Sequence, residues 1–591
     1  MTKMKMKAIY TAAMTILAVS FNAGAQNNLS GEVKVEHEIL PTSTDAPRMD
    51  QSPVVNLPRL TFKTLNFSES TVSAPVTAQM MRLEPTAWAD TIYTSPYRGY
   101  AMLGYFPLYN LEASAGYKFL DTDHTRLTGW LQMDGHSYGS DNHKYDRNTL
   151  SLGGSLHQAV GKKSFVDAGI GYTIDGFNTL NIPYTSIIEP DIRRNQLVNR
   201  FGLSGVWSSS VAQMKYSAGL AYNYFGYRNL TGEPDGPSIL FPEEMKPVRE
   251  HDVTVFGNIS MPFSSVSSVG ADVTLATVST TTSVTSRFIQ DENLLNYRYA
   301  GYSYEGKGNG LTHALLSLNP HYDFKTSKLS GGLGAILDFT FNRGTVFHVA
   351  PAAEVTWIPA KWLAINGQAK GGVRQNTTAS LFDRDFGMAA GYIYRNSYVP
   401  VDVRASVTLG PWKGAFAEGY FRWAKANDWL MPTITDNYNS VYASHDISGW
   451  MAGVKIGAEY RDMAKLTVKA EMTAGGYDKG WYEWNDRARY VIGASLLVKP
   501  MAHLKVTADY ELRAGRRIMD RHTFAYPEPI RYEVNIPLRN ISDISVGGTY
   551  EFTDQLSFFL HLNNLLSRSP RYVSGIDMQR FHGLIGAAYK F

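Results

Sequence analysis

Charged side chains at every second position are the residues of this chain whose types and spacing could do chemistry. Lys469 and Glu471 alternate with apolar residues, and Asp509, Glu511 and Arg513 do the same further along. The charged residues predicted to share one face are Lys370, Arg374, Arg404, Glu418, Arg422, Lys469, Glu471, Lys505, Asp509, Glu511 and Arg513. Two interpretations are open. These residues solvate a wide interior and pair across strands, or they form a selectivity lining or a seat for the amino-terminal segment. Because both signs are mixed, strong selectivity for anions or cations is not predicted.

The sequence contains no pattern typical of a catalytic nucleophile, a metal site or a phosphate-binding loop. Cysteine is absent, which excludes disulfides and thiol nucleophiles, and the 14 histidines have no spacing typical of a metal site. The glycine-rich run from Gly306 to Gly310 is interpreted as a flexible loop, because no helix follows it to complete a phosphate cradle. The sequence therefore predicts no enzyme activity, no cofactor and no metal. The net charge of +3 is too small for a nucleic-acid partner.

The alternating stretches themselves predict β-strands. Residues 401–409 and 504–513 alternate between apolar and polar types over lengths about twice the ~5–6 residues usual in soluble sheets. Several such runs end in aromatic residues, as interfacial girdles require. The charged fraction, 18%, is below the ~25% of soluble domains, and no later run approaches ~20 apolar residues. We therefore predict an all-β protein, a transmembrane antiparallel β-barrel embedded in outer-membrane lipid.

The last twelve residues, Arg580–Phe591, read as one membrane-crossing strand with an apolar face. Phe591 and Tyr589 lie on that face, and the strand ends on an aromatic residue. These two residues resemble the signal that the outer-membrane assembly machinery reads, so we assign them that role as an expectation. The strand is predicted to close the barrel by pairing with a first strand near Gly99–Phe106.

The amino-terminal residues 1–25 are typical of a secretory signal peptide. Three lysines precede the apolar run Ala8–Phe21, and a small-residue site predicts cleavage between Ala25 and Gln26. The alternative is a short membrane anchor. Residues 26–96 are rich in proline and are predicted to be a periplasmic or lumenal extended segment, with a periplasmic partner as one option. Residues 97–591 are assigned to the barrel, in the outer membrane of a Gram-negative bacterium.

Short polar or proline-containing breaks give an estimate of the strand number. They occur at 121–124, 161–163, 208–212, 262–265, 325–328, 359–361, 410–413, 461–464, 500–503 and 553–555. Longer polar segments are predicted as outer loops at 178–195, 229–249, 280–310, 374–397, 425–445, 477–487 and 515–533. This pattern predicts about 22 strands, with about 16–18 as a fallback. The loop residues Trp481, Tyr482 and Trp484 are candidates for ligand stacking or, alternatively, for loop packing and interfacial anchoring.

Three features near the end of the chain carry a family resemblance. They are the segment from Asp554 to Leu566, which ends in Asn-Asn-Leu-Leu, the triplet from Pro570 to Tyr572, and the glycine-rich last strand. Together they resemble the carboxyl-terminal end of TonB-dependent receptor barrels, and the tyrosine-rich strands resemble outer-membrane proteins of Bacteroidetes. The resemblance implies a 22-stranded barrel whose lumen is normally plugged. The family's plug domain is longer than residues 26–96, so the sequence predicts a relative without a full plug.

Two functions are compatible with these patterns. The first is a receptor-like or porin-like transport protein that binds a solute or passes it across the outer membrane. The second is a structural barrel that binds partners in an envelope complex without transport. A lumen this wide would have to be filled by residues 26–96, by loops folding inward, or by a partner protein.

Overall fold

The structure is a computed structural model that describes most of residues 97–591. The ranges outside the description are 107–109, 141–142, 180–193, 212–213, 230–247, 282–300, 303–310, 342–345, 385–392, 395, 413, 436–439, 478–481, 484–487, 525–529 and 571–576. The predicted signal peptide, its cleavage site at Ala25 and Gln26, and the segment 26–96 also lie outside the described residues, so these remain predictions.

Twenty-two long antiparallel strands form the wall of the described structure. They are β1 (Gly99–Phe106), β2 (Asn110–Asp121), β3 (Thr125–Ser140), β4 (His143–Val160), β5 (Ser164–Thr179), β6 (Arg194–Val211), β7 (Met214–Asn229), β8 (Val248–Ser264), β9 (Ser267–Thr281), β10 (Leu311–Lys325), β11 (Leu329–Phe341), β12 (Phe347–Ala360), β13 (Leu363–Arg374), β14 (Ser397–Trp412), β15 (Ala415–Thr435), β16 (Ser440–Tyr460), β17 (Ala464–Tyr477), β18 (Tyr490–Met501), β19 (Leu504–Ala514), β20 (Ile541–Glu551), β21 (Leu556–Asn563) and β22 (His582–Lys590).

A few smaller elements lie in the connections. They are the helix α1 (Thr378–Arg384), a 3-10 turn (Arg461–Met463), a loop hairpin (Arg517–Phe524 with Ile530–Pro537), and the two-residue strands Gly301–Tyr302, Ile393–Tyr394 and Tyr482–Glu483. Within the described ranges, no helix is long and apolar enough to cross a membrane.

The wall closes on itself through its first and last strands. Each strand pairs with its neighbours in the chain, and β1 pairs with β22 from Tyr100↔Lys590 to Tyr105↔Ile585. Closure leaves no strand edge without a hydrogen-bonding partner, which a bilayer could not supply. The predictions of a closed barrel, of about 22 strands and of this first-to-last pairing are therefore confirmed.

The two faces of the wall differ in chemistry, as the period-2 patterns predict. Outward positions carry apolar side chains that stay exposed, among them Leu103, Ile170 and Val454, each more than half exposed. Inward positions carry polar pairs such as Thr128 with Ser155, whose hydroxyl oxygens lie 2.6 Å apart. A continuous exposed apolar belt is stable in lipid and not in water. The barrel is accordingly a transmembrane one.

The two rims of the barrel are unequal. Ten connections of two to four residues lie at one end, called here the short-turn rim, and each overlaps its predicted range. The opposite end, called the long-loop rim, holds the longer predicted segments. The prediction for 425–445 is largely wrong, because β15 and β16 continue through it with pairs from Trp429↔His445 to Ile434↔Ser440. Its polar residues form a bulge, where Asp428 takes a φ of 51° and its N–H donates to Asp446 Oδ1 at 3.0 Å.

The Asn-Asn-Leu-Leu stretch that carries the family resemblance closes the connection between β21 and β22. Asn564 is fully buried with a φ of 48°, and its amide donates to the carbonyls of Arg568 at 2.6 Å and Gln579 at 2.7 Å. Asparagine is one of the few residues that adopts this left-handed conformation readily. The connection then contacts β2, because Gln579 Nε2 donates to Asn110 Oδ1 at 3.1 Å. The motif therefore has a structural role at the barrel seam.

Phe591 completes this seam, and its deletion should impair barrel assembly. Its carbonyl accepts from the N–H groups of Arg98 and Gly99 at 2.8 Å each, and its ring stacks on Tyr117 and Tyr589. We expect the amount of heat-modifiable, folded barrel in outer-membrane fractions to fall several-fold on deletion. Phe591→Tyr keeps the backbone and the ring, so it should match the parent. Wild-type levels of folded barrel after deletion would show that Phe591 has no assembly role.

Candidate functional site

The connection between β13 and β14 folds into the barrel rather than away from it. Its helix α1 begins with a capping box, in which the Ser380 N–H donates to Thr377 Oγ1 at 3.0 Å and the Thr377 N–H donates to Ser380 Oγ at 3.1 Å. Two apolar residues, Leu381 and Phe382, follow at once and are 1% and 4% exposed. A helix of seven residues is not stable alone in water, so packing of this apolar face must hold it.

The packing partners of α1 come from strands distant in the sheet. Phe382 packs among Phe177 of β5, Phe225 and Tyr227 of β7, with ring centroids 5.6 to 6.4 Å apart. Val198 of β6 belongs to the same buried cluster. On each strand these residues alternate with exposed apolar ones, so they occupy inward positions. The helix therefore lies inside the barrel.

Polar contacts fasten the same helix to β6 and β8. Glu250 of β8 is 3% exposed, and its carboxylate accepts from the N–H groups of Thr378 at 2.7 Å and Ala379 at 3.1 Å. Arg200 of β6 forms an ion pair with Asp383 at 2.6 Å. A buried carboxylate is tolerated only when such donors satisfy it, and these two N–H groups have no partner within the helix itself. Glu250 and α1 thus stabilise each other.

The carboxyl end of α1 reaches a different part of the wall. Arg384 Nη2 donates to the carbonyl of Leu430 on β15 at 3.1 Å, and its guanidinium lies 5.7 Å from the Trp429 ring centroid. Beyond the helix, Ile393 and Tyr394 pair with Tyr302 and Gly301 from the connection after β9. Nine strands lie between β5 and β15 in the ring of 22, yet Leu430 of β15 belongs to the same buried cluster as Phe177 and Val198. Because a helix of seven residues is only about 10 Å long, α1 does not span the lumen by itself. It lies at a junction inside the long-loop rim, where residues of β15 meet residues of β5 to β8.

The predicted lumen residues lie on inward positions of β13 to β19 or at their long-loop end. Two of these residues, Arg404 and Arg422, share the carboxylate of Asp402 on β14. This carboxylate accepts two hydrogen bonds from Arg422 at 2.8 Å each and forms an ion pair with Arg404 at 2.9 Å. The Tyr420 hydroxyl donates to Glu471 at 2.6 Å, and Glu511 pairs with Arg513. Arg374 lies over Trp429, beside α1. The structure also places Lys370, Glu418, Lys469, Lys505 and Asp509 on inward positions of β13, β15, β17 and β19.

Several predicted residues use their charge or hydrogen-bonding groups on other side chains of the wall. Arg404 and Arg513 pair with an acid two residues away on their own strand, whereas Arg422 and Glu471 contact residues of other strands. Trp481 and Trp484 lie outside the described residues, and only the backbone pairing of Tyr482 with Tyr477 is described. Their role as ligand contacts stays a prediction.

Sequence reasoning missed the residues that hold α1. Thr377 and Ser380, followed by an apolar pair, form a readable capping signal for a short helix. Glu250 and Arg200 carry no such local signal, because their partners on α1 are distant in sequence.

Strands β8 to β12 carry several acidic residues on their inward face. Asp252, Asp272, Asp323 and Glu354 lie on inward positions of β8, β9, β10 and β12. His321 lies between two of them, with ring nitrogens 3.6 Å from Asp272 and 3.4 Å from Asp323 carboxylate oxygens. Within the described ranges, no group of three His, Asp or Glu side chains is arranged to hold a metal ion. The chemistry available here is polar solvation and ion pairing.

Comparison with known proteins adds the fold and not a family assignment. No family model and no curated protein matches this chain. Among solved structures, the siderophore receptor PirA from Acinetobacter baumannii is similar over 84% of this chain and 80% of its own, with a TM-score of 0.60 and 12% identity. A mutant of the ferric enterobactin receptor PfeA from Pseudomonas aeruginosa gives the same coverage and TM-score at 11% identity. FpvA from P. aeruginosa bound to pyoverdine is similar over 84% of this chain and 72% of its own, with a TM-score of 0.58 and 10% identity.

These similarities confirm the predicted resemblance at the level of the fold: the chain has a barrel like those of TonB-dependent receptors.

Replacing Glu250 should loosen α1 without unfolding the barrel. Because the chain has no cysteine, Leu381→Cys gives a single buried thiol whose modification rate reports release of the helix. In Glu250→Ala, losing hydrogen bonds to a charged group should speed thiol modification roughly 10- to 100-fold. Glu354→Gln removes an inward acid that does not contact α1, so its rate should equal that of the parent. Equal rates in Glu250→Ala and the parent would contradict this role for Glu250.

Replacing Asp402 should destabilise the wall more than replacing another inward acid. Asp402→Asn removes the negative charge that Arg404 and Arg422 share. The two partly buried guanidinium groups then lose their ion pairs with this carboxylate. We expect the free energy of unfolding in urea to fall by roughly 2–4 kcal/mol. Glu418→Gln changes the net charge of the barrel by the same amount and should lower the free energy of unfolding much less. Similar losses for both variants would show that the cluster has no special role.

Proposed function

We propose that this chain is an outer-membrane transport protein that binds a solute or passes it through the barrel lumen. The observation that carries this proposal is α1, a helix packed inside the long-loop rim and held there by residues of β5 to β8 and β15. A wide lumen that opens to solvent needs such an obstruction, because an unobstructed pore of this size would leak.

The proposal places the short turns in the periplasm and the long loops outside, as bacterial barrels do. A solute arriving from outside would then meet α1 first and the charged wall behind it. The acidic residues on β8 to β12 face a lumen whose other strands carry Arg404, Arg422 and Lys469. Such a wall is suited to a polar solute with groups of both signs.

The solved structures suggest which solutes to test first. PirA is named a siderophore receptor, a PfeA mutant is in complex with enterobactin, and FpvA is bound to a pyoverdine–iron complex; all three share this fold. Ferric siderophores are therefore the first candidates for this chain, and small zwitterions are the second. The segment 26–96 is proposed as a second obstruction of the lumen, separate from α1.

Shortening the inward connection should open the pore. Replacement of residues 377–392 by a short Gly-Ser linker removes α1 and keeps Asn376, whose amide donates to Ser397 Oγ at 2.8 Å. We expect single-channel conductance in planar bilayers to rise several-fold, because α1 no longer occupies the lumen. Full-length Gly205→Leu, which changes a lipid-facing position of β6 and leaves α1 and the lumen wall intact, is the control and should conduct like the parent.

Deleting residues 26–96, alone and together with the linker replacement, tests whether this segment also obstructs the lumen, because conductance should then rise further. Unchanged conductance in the linker variant and in the double variant would overturn the transport proposal. It would favour the partner-binding barrel, which co-purification of a protein in mild detergent would then identify.

A further inference from the structure

A groove marks the outer, lipid-facing surface of the barrel between β11 and β14. Its volume is about 580 Å³, and its lining is apolar. The lining residues include Leu329, Val355, Trp357, Ile365, Gly367 and Ala405. Most of a barrel's outer surface is covered by side chains of similar height, so an open trough of this size requires a local cause.

Small residues at the centre of the groove are that cause. Gly367 of β13 pairs with Val355 on one side and with Ala405 on the other, so two small residues lie side by side. A Cβ placed on Gly367 would meet no atom within 4 Å, which shows that the space above it is open. Trp357 and Ile365, paired with each other one step nearer the short-turn rim, form a higher wall.

The rim above the groove carries positive charge and tryptophan. Lys328 and Lys361 lie exposed in the turns that lead into β11 and β13, and the Lys328 carbonyl accepts from the Ile358 N–H at 2.7 Å, next to Trp357. Trp362 and Trp412 are each about half exposed at the same rim. The sequence stretches 325–329, 358–363 and 409–415 contain four lysines and no acid. Tryptophan and lysine together are typical of the headgroup region of a bilayer.

We propose that this surface is a binding site for one anionic phospholipid. One acyl chain lies in the groove over Gly367, and the phosphate group faces Lys328 and Lys361, with the tryptophan rings at the level of the glycerol backbone. A second protein copy would need a protruding apolar surface, whereas this surface is concave with a basic margin. The site depends on the transmembrane fold and not on the proposed transport function.

Native mass spectrometry of the intact, detergent-solubilised protein tests the site. Dioleoyl phosphatidylglycerol and dioleoyl phosphatidylcholine share their acyl chains and differ in net charge. The parent should bind phosphatidylglycerol roughly 10- to 30-fold more tightly, since each lysine near the surface contributes about 1 kcal/mol. Lys328→Glu with Lys361→Glu should abolish that preference. Gly367→Leu should fill the groove and weaken binding of both lipids, and the open space above Gly367 lets the side chain fit without disturbing the fold.

Matched controls exist on the far wall. Lys162→Glu with Lys163→Glu changes two exposed lysines of the β4–β5 turn at the same rim. Gly205→Leu adds the same bulk at an outward position of β6 that also has nothing within 4 Å. Both controls should keep the lipid preference of the parent. Phosphatidylglycerol binding that is equal in the parent and Gly367→Leu, or equal to phosphatidylcholine binding in the parent, would overturn the proposal.

Discussion

Hydrogen bonding of the backbone within the bilayer is the constraint from which the rest of this structure follows. Hydrocarbon offers no partner to an N–H or a carbonyl, so each of the 22 strands needs a neighbour on both sides. The chain meets this requirement only because β22 returns to β1. The backbone of Phe591 extends that pairing beyond the last strand, to Arg98 and Gly99. Period-2 alternation then sorts the side chains, with apolar residues toward lipid and polar ones toward the lumen.

Closure with this many strands creates a second problem, which is a lumen too wide to be filled by the wall's own side chains. The chain answers part of it with the connection between β13 and β14. Helix α1 is too short to be stable by itself, yet it contacts β5, β6, β7, β8 and β15. The buried carboxylate of Glu250 and the two N–H groups at the start of the helix satisfy one another. An element that lies inside a lumen and is held at both of its ends is suited to obstruct it, which connects the barrel geometry to the proposed transport.

The outer surface follows the same constraint with a different result. Because outward side chains face lipid, a pair of small residues there does not create a cavity in a core but a groove open to the membrane. Gly367 and Ala405 form such a pair, and the lysines of the adjoining turns give the groove a charged margin. Similarity to siderophore receptors at 10–12% identity reflects the shared barrel geometry, whereas the groove and the contacts of α1 depend on this chain's own residues.

The sequence by itself determined the strands and the short turns. These are local properties: alternation needs only neighbouring residues, and tight turns need only a few polar or proline-containing positions. The first-to-last pairing joins distant residues, and it was predictable because a closed barrel in a bilayer must pair its two terminal strands. Local signals also misled, since the polar residues around Asp428 indicate a loop where the strand only bulges. The candidate site was decided by the tertiary structure. Glu250 and Thr378 are 128 positions apart, and Arg200 meets Asp383 only because the barrel closes and the loop turns inward. No periodicity encodes such contacts, because they depend on which strands lie opposite each other in the finished ring.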